Sequence, residues 1–179
     1  MAISDPVLVC VNSAAASVLF VAGVAKSVSP GQLRRSLNEL FRPPGKGITT
    51  AHVRVFAAVE LLTALSLTVA AARPAGAWAA GLLGAVFALA GVLGLLRGAG
   101  TACGCFGGAA DRPLGWFNVL VGVPLMAVPA ANLAAGAGDG AASYFFQAAT
   151  GLACGALLLC LWTRRGLIKN LTRPLPASR

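Results

Sequence analysis

Residues Ala75 to Leu96 read AGAWAAGLLGAVFALAGVLGLL, an apolar run without a single charge. Coiled as a helix it is about 33 Å long, close to the roughly 30 Å of a bilayer's hydrocarbon core. A soluble domain of this size would carry about a quarter charged residues. Here 58% of the 179 residues are hydrophobic and 11% are charged, with a mean hydropathy of +0.81. The chain therefore reads as an integral membrane protein.

Four more runs of similar character flank this one: about Val7 to Lys26, Val53 to Ala72, Leu114 to Ala135 and Ala142 to Trp162. The expected fold is all-α, a polytopic membrane helix bundle of about five transmembrane helices, a four-helix core plus one. Residues 1–179 form a single integral membrane domain, and residues 164–179 a basic, flexible tail. The first run follows Asp5, has no basic segment before it and no small-residue cleavage site after it, so it reads as a retained helix. Between the first two runs, Leu33, Leu37 and Leu40 recur at helical spacing, which predicts a short interfacial helix over Gly31 to Leu40. Gly81, Gly84, Gly91 and Gly94 offer places for helices to approach closely.

The net charge of +9 is placed as topology signals are, in loops and tail. No basic stripe with interleaved aromatics points to nucleic acid, and none is expected as a partner. With five spans, every Lys and Arg of the 14 except Arg73 falls on one side. The positive-inside bias then predicts a multi-pass protein of a bacterial inner membrane, amino terminus outside and carboxy terminus in the cytoplasm.

The segment after Leu96 carries the chemistry. Cys103-Gly104-Cys105-Phe106-Gly107 sets two thiols one residue apart in a glycine-rich, polar break between spans, with Arg97 and Arg112 on its flanks. Positive charge nearby favours the thiolate, the reactive form. A disulfide within so small a ring departs from relaxed geometry, which suits exchange better than stapling. Cys160 ends the fifth run on the same face, whereas Cys10 begins the first on the opposite one. Cys10, Cys154 and Cys160 read as small packing residues, with Cys160 alone in reach of the pair. A Cys3His set of Cys103, Cys105, Cys160 and His52 matches no compact zinc spacing, and His52 reads better as a helix-start residue. No resident cofactor or metal is expected; a quinone is a candidate exchange partner.

Glu60 is the one acid within a span. An ionisable group at that depth is costly and defaults to a functional reading. It has three roles open to it: proton acceptor for thiol chemistry, polar substrate contact, or one half of an interhelical pair with Lys26. Asn118 lies at comparable or shallower depth on the same side. Asn12 and Gln147, toward the opposite face, read as helix–helix hydrogen-bonding residues.

Taken together, the cysteine loop, the Leu114-Gly115-Trp116-Phe117-Asn118 opening of the next helix, and the Gly23-Val24-Ala25-Lys26 ending of the first helix resemble the MauE family of methylamine utilisation membrane proteins, related to the DoxX-like group. The resemblance covers about Leu19 to Leu133. Phe117 stands where members commonly carry Arg. The resemblance implies a redox-associated membrane protein that assists maturation of a disulfide-rich quinoprotein subunit beside a thioredoxin-like partner. Cys103, Cys105 and Glu60 would then be the working residues, supported by Gly104, Phe106, Gly107, Lys26, Asn118 and Cys160. The alternative left open is a non-catalytic assembly or scaffold subunit whose CxC is structural or metal-binding.

Overall fold

The computed structural model describes residues 5–41, 47–97, 115–135 and 141–171. These form six helices: α1 (Asp5–Val28), α2 (Pro30–Phe41), α3 (Thr50–Thr68), α4 (Arg73–Leu96), α5 (Trp116–Ala135) and α6 (Ala141–Leu171). No strand occurs among the described residues. Helices α1, α3, α4 and α5 are each long and apolar enough to cross a membrane, and α6 adds the shorter apolar stretch Tyr144–Cys160. The protein is a multi-pass helical membrane bundle. Its lipid-facing surface is made of exposed Leu, Val and aromatic side chains such as Leu62, Leu82 and Phe146.

Local chemistry sets the helix boundaries. Pro30 opens α2, and the residue before a proline is pushed away from helical angles, so Ser29 separates α1 from α2. Pro74 sits in the first turn of α4, where its missing N–H breaks no helical bond. At the start of α3 the Thr49 backbone N–H donates to His52 Nδ1 at 3.3 Å, and Thr49 Oγ1 lies 2.7 Å from the same nitrogen. His52 is thus a capping residue of α3. The interfacial helix expected over residues 31–40 is α2. Its buried Leu33 packs on Val53 of α3, with Leu37, Ile48 and Leu93 around them. Asn38 ties it down further, accepting from Ile48 N at 2.7 Å and donating to Ile48 O at 3.2 Å. The carboxy-terminal boundary differs from expectation. Helix α6 runs on through Arg164 and Arg165 to Leu171, into the stretch read as a tail; residues 172–179 lie outside the described residues.

Small residues decide the packing. A Cβ on Gly84 would stand 2.7 Å from Gly122 O, and one on Gly122 2.5 Å from Gly84 O, so α4 and α5 touch backbone to backbone. Gly81 receives the ring of Pro129 and Gly91 lies against Gly115 and Val119. On the other side, Ser13 Oγ donates to Ala148 O at 3.3 Å and Ser17 Oγ lies 3.2 Å from Leu152 O, joining α1 to α6. Gly151 and Gly155 make room for those hydroxyls: a Cβ on either would collide with the facing serine oxygen. The central core runs through α1, α3, α4 and α5 and includes Leu19, Leu67, Leu83, Phe87 and Leu125.

Candidate functional site

The end of α1, the start of α3, the end of α4 and the start of α5 share one end of the bundle. The site near it begins with a glycine. A Cβ on Gly23 would lie 2.8 Å from Leu61 Cγ and 3.1 Å from Ala57 O, so α1 and α3 close tightly there. One turn further along α1, Lys26 reaches into the same interface. Its Nζ donates to Glu60 Oε1 at 2.6 Å, and both side chains are fully buried. Counting along α3, Glu60 is about 15 Å from the first helical residue.

The ammonium is well held. Besides Glu60, it lies 3.5 Å from Ala22 O, 5.5 Å from the centroid of the Phe56 ring and 5.2 Å from that of Phe87. The two rings meet edge to face, with centroids 6.2 Å apart. Ring faces carry negative charge density, so both attract the cation. The carboxylate is held on one side only. Glu60 Oε2 is buried and has no hydrogen-bond partner. Buried polar atoms are nearly always paired, and an orphaned carboxylate oxygen needs a reason. Chemically, the pair presents a fixed anionic acceptor whose positive partner is independently stabilised.

The other residues singled out from sequence are distributed as follows. Asn118 is buried in the first turn of α5, its backbone N–H donating to Gly115 O at 3.0 Å. Cys10, Cys154 and Cys160 are exposed on their helices, which corrects their reading as packing residues of the core. Cys103, Gly104, Cys105, Phe106 and Gly107 lie outside the described residues. Among the described residues no group of three or more His, Cys, Asp or Glu side chains comes together as a metal set.

Sequence reasoning missed Phe56 and Phe87, since a phenylalanine in a span reads as core or lipid contact. It also missed two members of a second polar cluster. Asn12 Nδ2 donates to Asn132 Oδ1 at 3.2 Å and to Tyr144 Oη at 2.9 Å, while Asn132 Nδ2 returns a bond to Asn12 Oδ1 at 2.9 Å. Tyr144 Oη donates to Leu67 O at 2.7 Å, and Arg73 lies 5.2 Å over its ring. The cluster joins α1, α3, α5 and α6 near the opposite end of the bundle. An intramembrane Asn and the chain's single Tyr were the available signals. Gln147 is exposed on α6.

No curated protein and no solved structure shows a significant match to the chain. The family model described as methylamine utilisation protein MauE matches residues 4–137, which includes Lys26, Glu60, Phe56 and Phe87 and all of α1 to α5. The chain belongs to the MauE family of membrane proteins.

Proposed function

We propose that the protein is a membrane thiol–disulfide exchange factor that serves the maturation of a disulfide-containing protein, with Cys103 and Cys105 as the exchanging pair and Glu60 as a proton acceptor. The observation that carries this reading is the buried Lys26–Glu60 pair with Oε2 unengaged. It lies toward the end of the bundle at which α4 finishes and α5 begins, and the chain between those helices carries both cysteines.

Exchange begins when a thiolate of the partner attacks one sulfur of the Cys103–Cys105 disulfide. The S–S bond breaks, a mixed disulfide forms, and the other cysteine leaves as a thiolate. A second partner thiol then attacks the mixed disulfide and releases the oxidised partner and a reduced CxC. The protons of the partner thiols pass to the departing thiolates. Glu60 Oε2 is the acceptor that lets a proton wait near the pair, while the two aromatic rings keep the Lys26 ammonium stable when the carboxylate is neutralised. Run in reverse, the same steps reduce the partner. A thioredoxin-like protein fits the partner's role, and the charge asymmetry supports a cytoplasmic CxC face in a bacterial inner membrane.

Alkylation trapping in native membranes tests the proposal. Cys103 and Cys105 should shift between thiol and disulfide forms, and Cys105→Ser should accumulate a mixed disulfide with a partner. Glu60→Gln should slow exchange roughly 100-fold at unchanged expression, in line with the loss of one acid–base group. Cysteines that never change redox state, together with a Cys103→Ser/Cys105→Ser variant that behaves as wild type, would sink it and leave an assembly role. Impermeant maleimide labelling of intact cells tests the orientation.

A further inference from the structure

A second feature near the same end, independent of the thiol chemistry, concerns the surface where α2 meets α3. Arg34 Nη1 donates to Thr50 Oγ1 at 3.5 Å, which parks a guanidinium over the first residue of α3. Arg54 follows Thr50 by four residues and so stands one turn further along the same face. Arg54 is exposed, as are Ala51, Val55 and Ala58 around it. Deeper on α3, Leu62 is 64% exposed and Leu65 52%, so this side faces acyl chains. A permanently charged group at the upper edge of a lipid-facing surface sits where phospholipid phosphates lie.

We propose that this corner is a binding site for an anionic phospholipid, whose headgroup phosphate is held between Arg34 and Arg54 and whose acyl chains run down the exposed face of α3. Three observations commit it to that occupant. The two guanidiniums outnumber the charge of one phosphodiester, and no ion pair to either is formed among the described residues, where the Lys26–Glu60 bridge is internal. Guanidinium also matches phosphate by paired hydrogen bonds, which an ammonium cannot. The corner is rigid, because Leu33 on Val53 and the Asn38–Ile48 bonds fix α2 against α3. The apolar strip beneath favours a lipid over a soluble anion, and the two positive charges disfavour a zwitterionic headgroup. Arg35 is left out of the site: it is the next residue on α2, about 100° round the helix from Arg34, and Glu39 follows it at i+4 spacing.

The test is native mass spectrometry of the purified full chain titrated with phosphatidylglycerol, phosphatidylcholine of the same acyl chains, or inorganic phosphate. Phosphatidylglycerol should be retained at least tenfold more tightly than phosphatidylcholine. Arg34→Gln or Arg54→Gln should each weaken it roughly tenfold, and the double variant about 100-fold, as expected for charge-assisted hydrogen bonds. Arg35→Gln, which removes the same charge one residue away, should cost less than threefold. Arg34→Lys/Arg54→Lys keeps the charge and should fall between wild type and the Gln pair; it carries the test if the Gln pair fails to fold. Equal binding of the two lipids, an unaffected double variant, or an Arg35→Gln loss as large as that of Arg54→Gln would overturn the site. Inorganic phosphate binding as tightly as phosphatidylglycerol would overturn the lipid assignment.

Discussion

Replacing Lys26 by Met should destabilise the protein more than replacing Glu60 by Met, although the two share one salt bridge. The geometry sets the sizes. At 2.6 Å and an effective dielectric of about 20, the attraction is worth about 6 kcal/mol. Desolvation of two ions costs several kcal/mol each, so the intact pair stands near break-even with an apolar pair of the same volume. Removing one partner leaves the other's desolvation uncompensated, typically at about 3–5 kcal/mol. The survivors differ. Lys26 without Glu60 keeps Ala22 O and two ring faces, each ring worth about 0.5–2 kcal/mol. Glu60 without Lys26 keeps nothing, because Oε2 is already unpartnered.

The expected order is therefore Lys26→Met near the upper end of that range, Glu60→Met about 1–2 kcal/mol milder, and the double variant within about 2 kcal/mol of wild type. Equilibrium unfolding in mixed micelles, over the four corners of the double-mutant cycle, measures all three. Equal single-variant losses would refute the role given to Phe56 and Phe87. A double variant as unstable as the sum of the singles would refute a coupled buried pair altogether.

Further expectations follow from the helix contacts. Gly122→Val should destabilise by about 1–3 kcal/mol or block folding, since its Cβ would enter the backbone of α4; Gly31→Ala, where nothing lies within 4 Å, should be silent in the same equilibrium-unfolding assay. Gly155→Ala should lower the melting temperature, and Ser17→Ala should recover part of that loss by removing the hydroxyl it strikes. Tyr144→Phe should cost about 1 kcal/mol, since Leu67 O and one Asn12 hydrogen lose their partner, and hydrogen exchange should rise at the α3 terminus. No loss on Tyr144→Phe would show that the cluster is replaceable by packing.

The spans were legible because the bilayer imposes length and composition on a single segment. The run from Ala75 to Leu96 announces itself without reference to any neighbour, and α2 follows from its leucine spacing. Lys26 and Glu60 could be matched by counting depth along two helices, since few charges occupy spans. Helix pairing was not legible in the same way. Ser13 and Ser17 meet Gly151 and Gly155 across more than 130 residues of chain, and small residues are so common here that no spacing singles these out. Phe56 and Phe87 were silent for a related reason: a ring becomes part of an ion site only through what stands over it. The family match covers residues 4–137 and thus stops short of α6, whose docking rests on the Ser–Gly contacts and Tyr144.

Comparing the two polar layers separates structure from chemistry. In the layer of Asn12, Asn132 and Tyr144 every side-chain N–H and O–H hydrogen has an acceptor, either within the trio or on Val128 O and Leu67 O. Such a network holds four helices in register and has no donor hydrogen left for a visitor. The Lys26–Glu60 layer is built in the opposite sense. Its cation is surrounded and its anion is half engaged, at the same depth cost. A membrane protein selected only for stability would lose little by replacing that pair with two apolar residues. The presence of such a pair is accounted for if the unengaged oxygen has an intermittent partner. Under the proposed exchange function, a thiol that gives up its proton would be that partner.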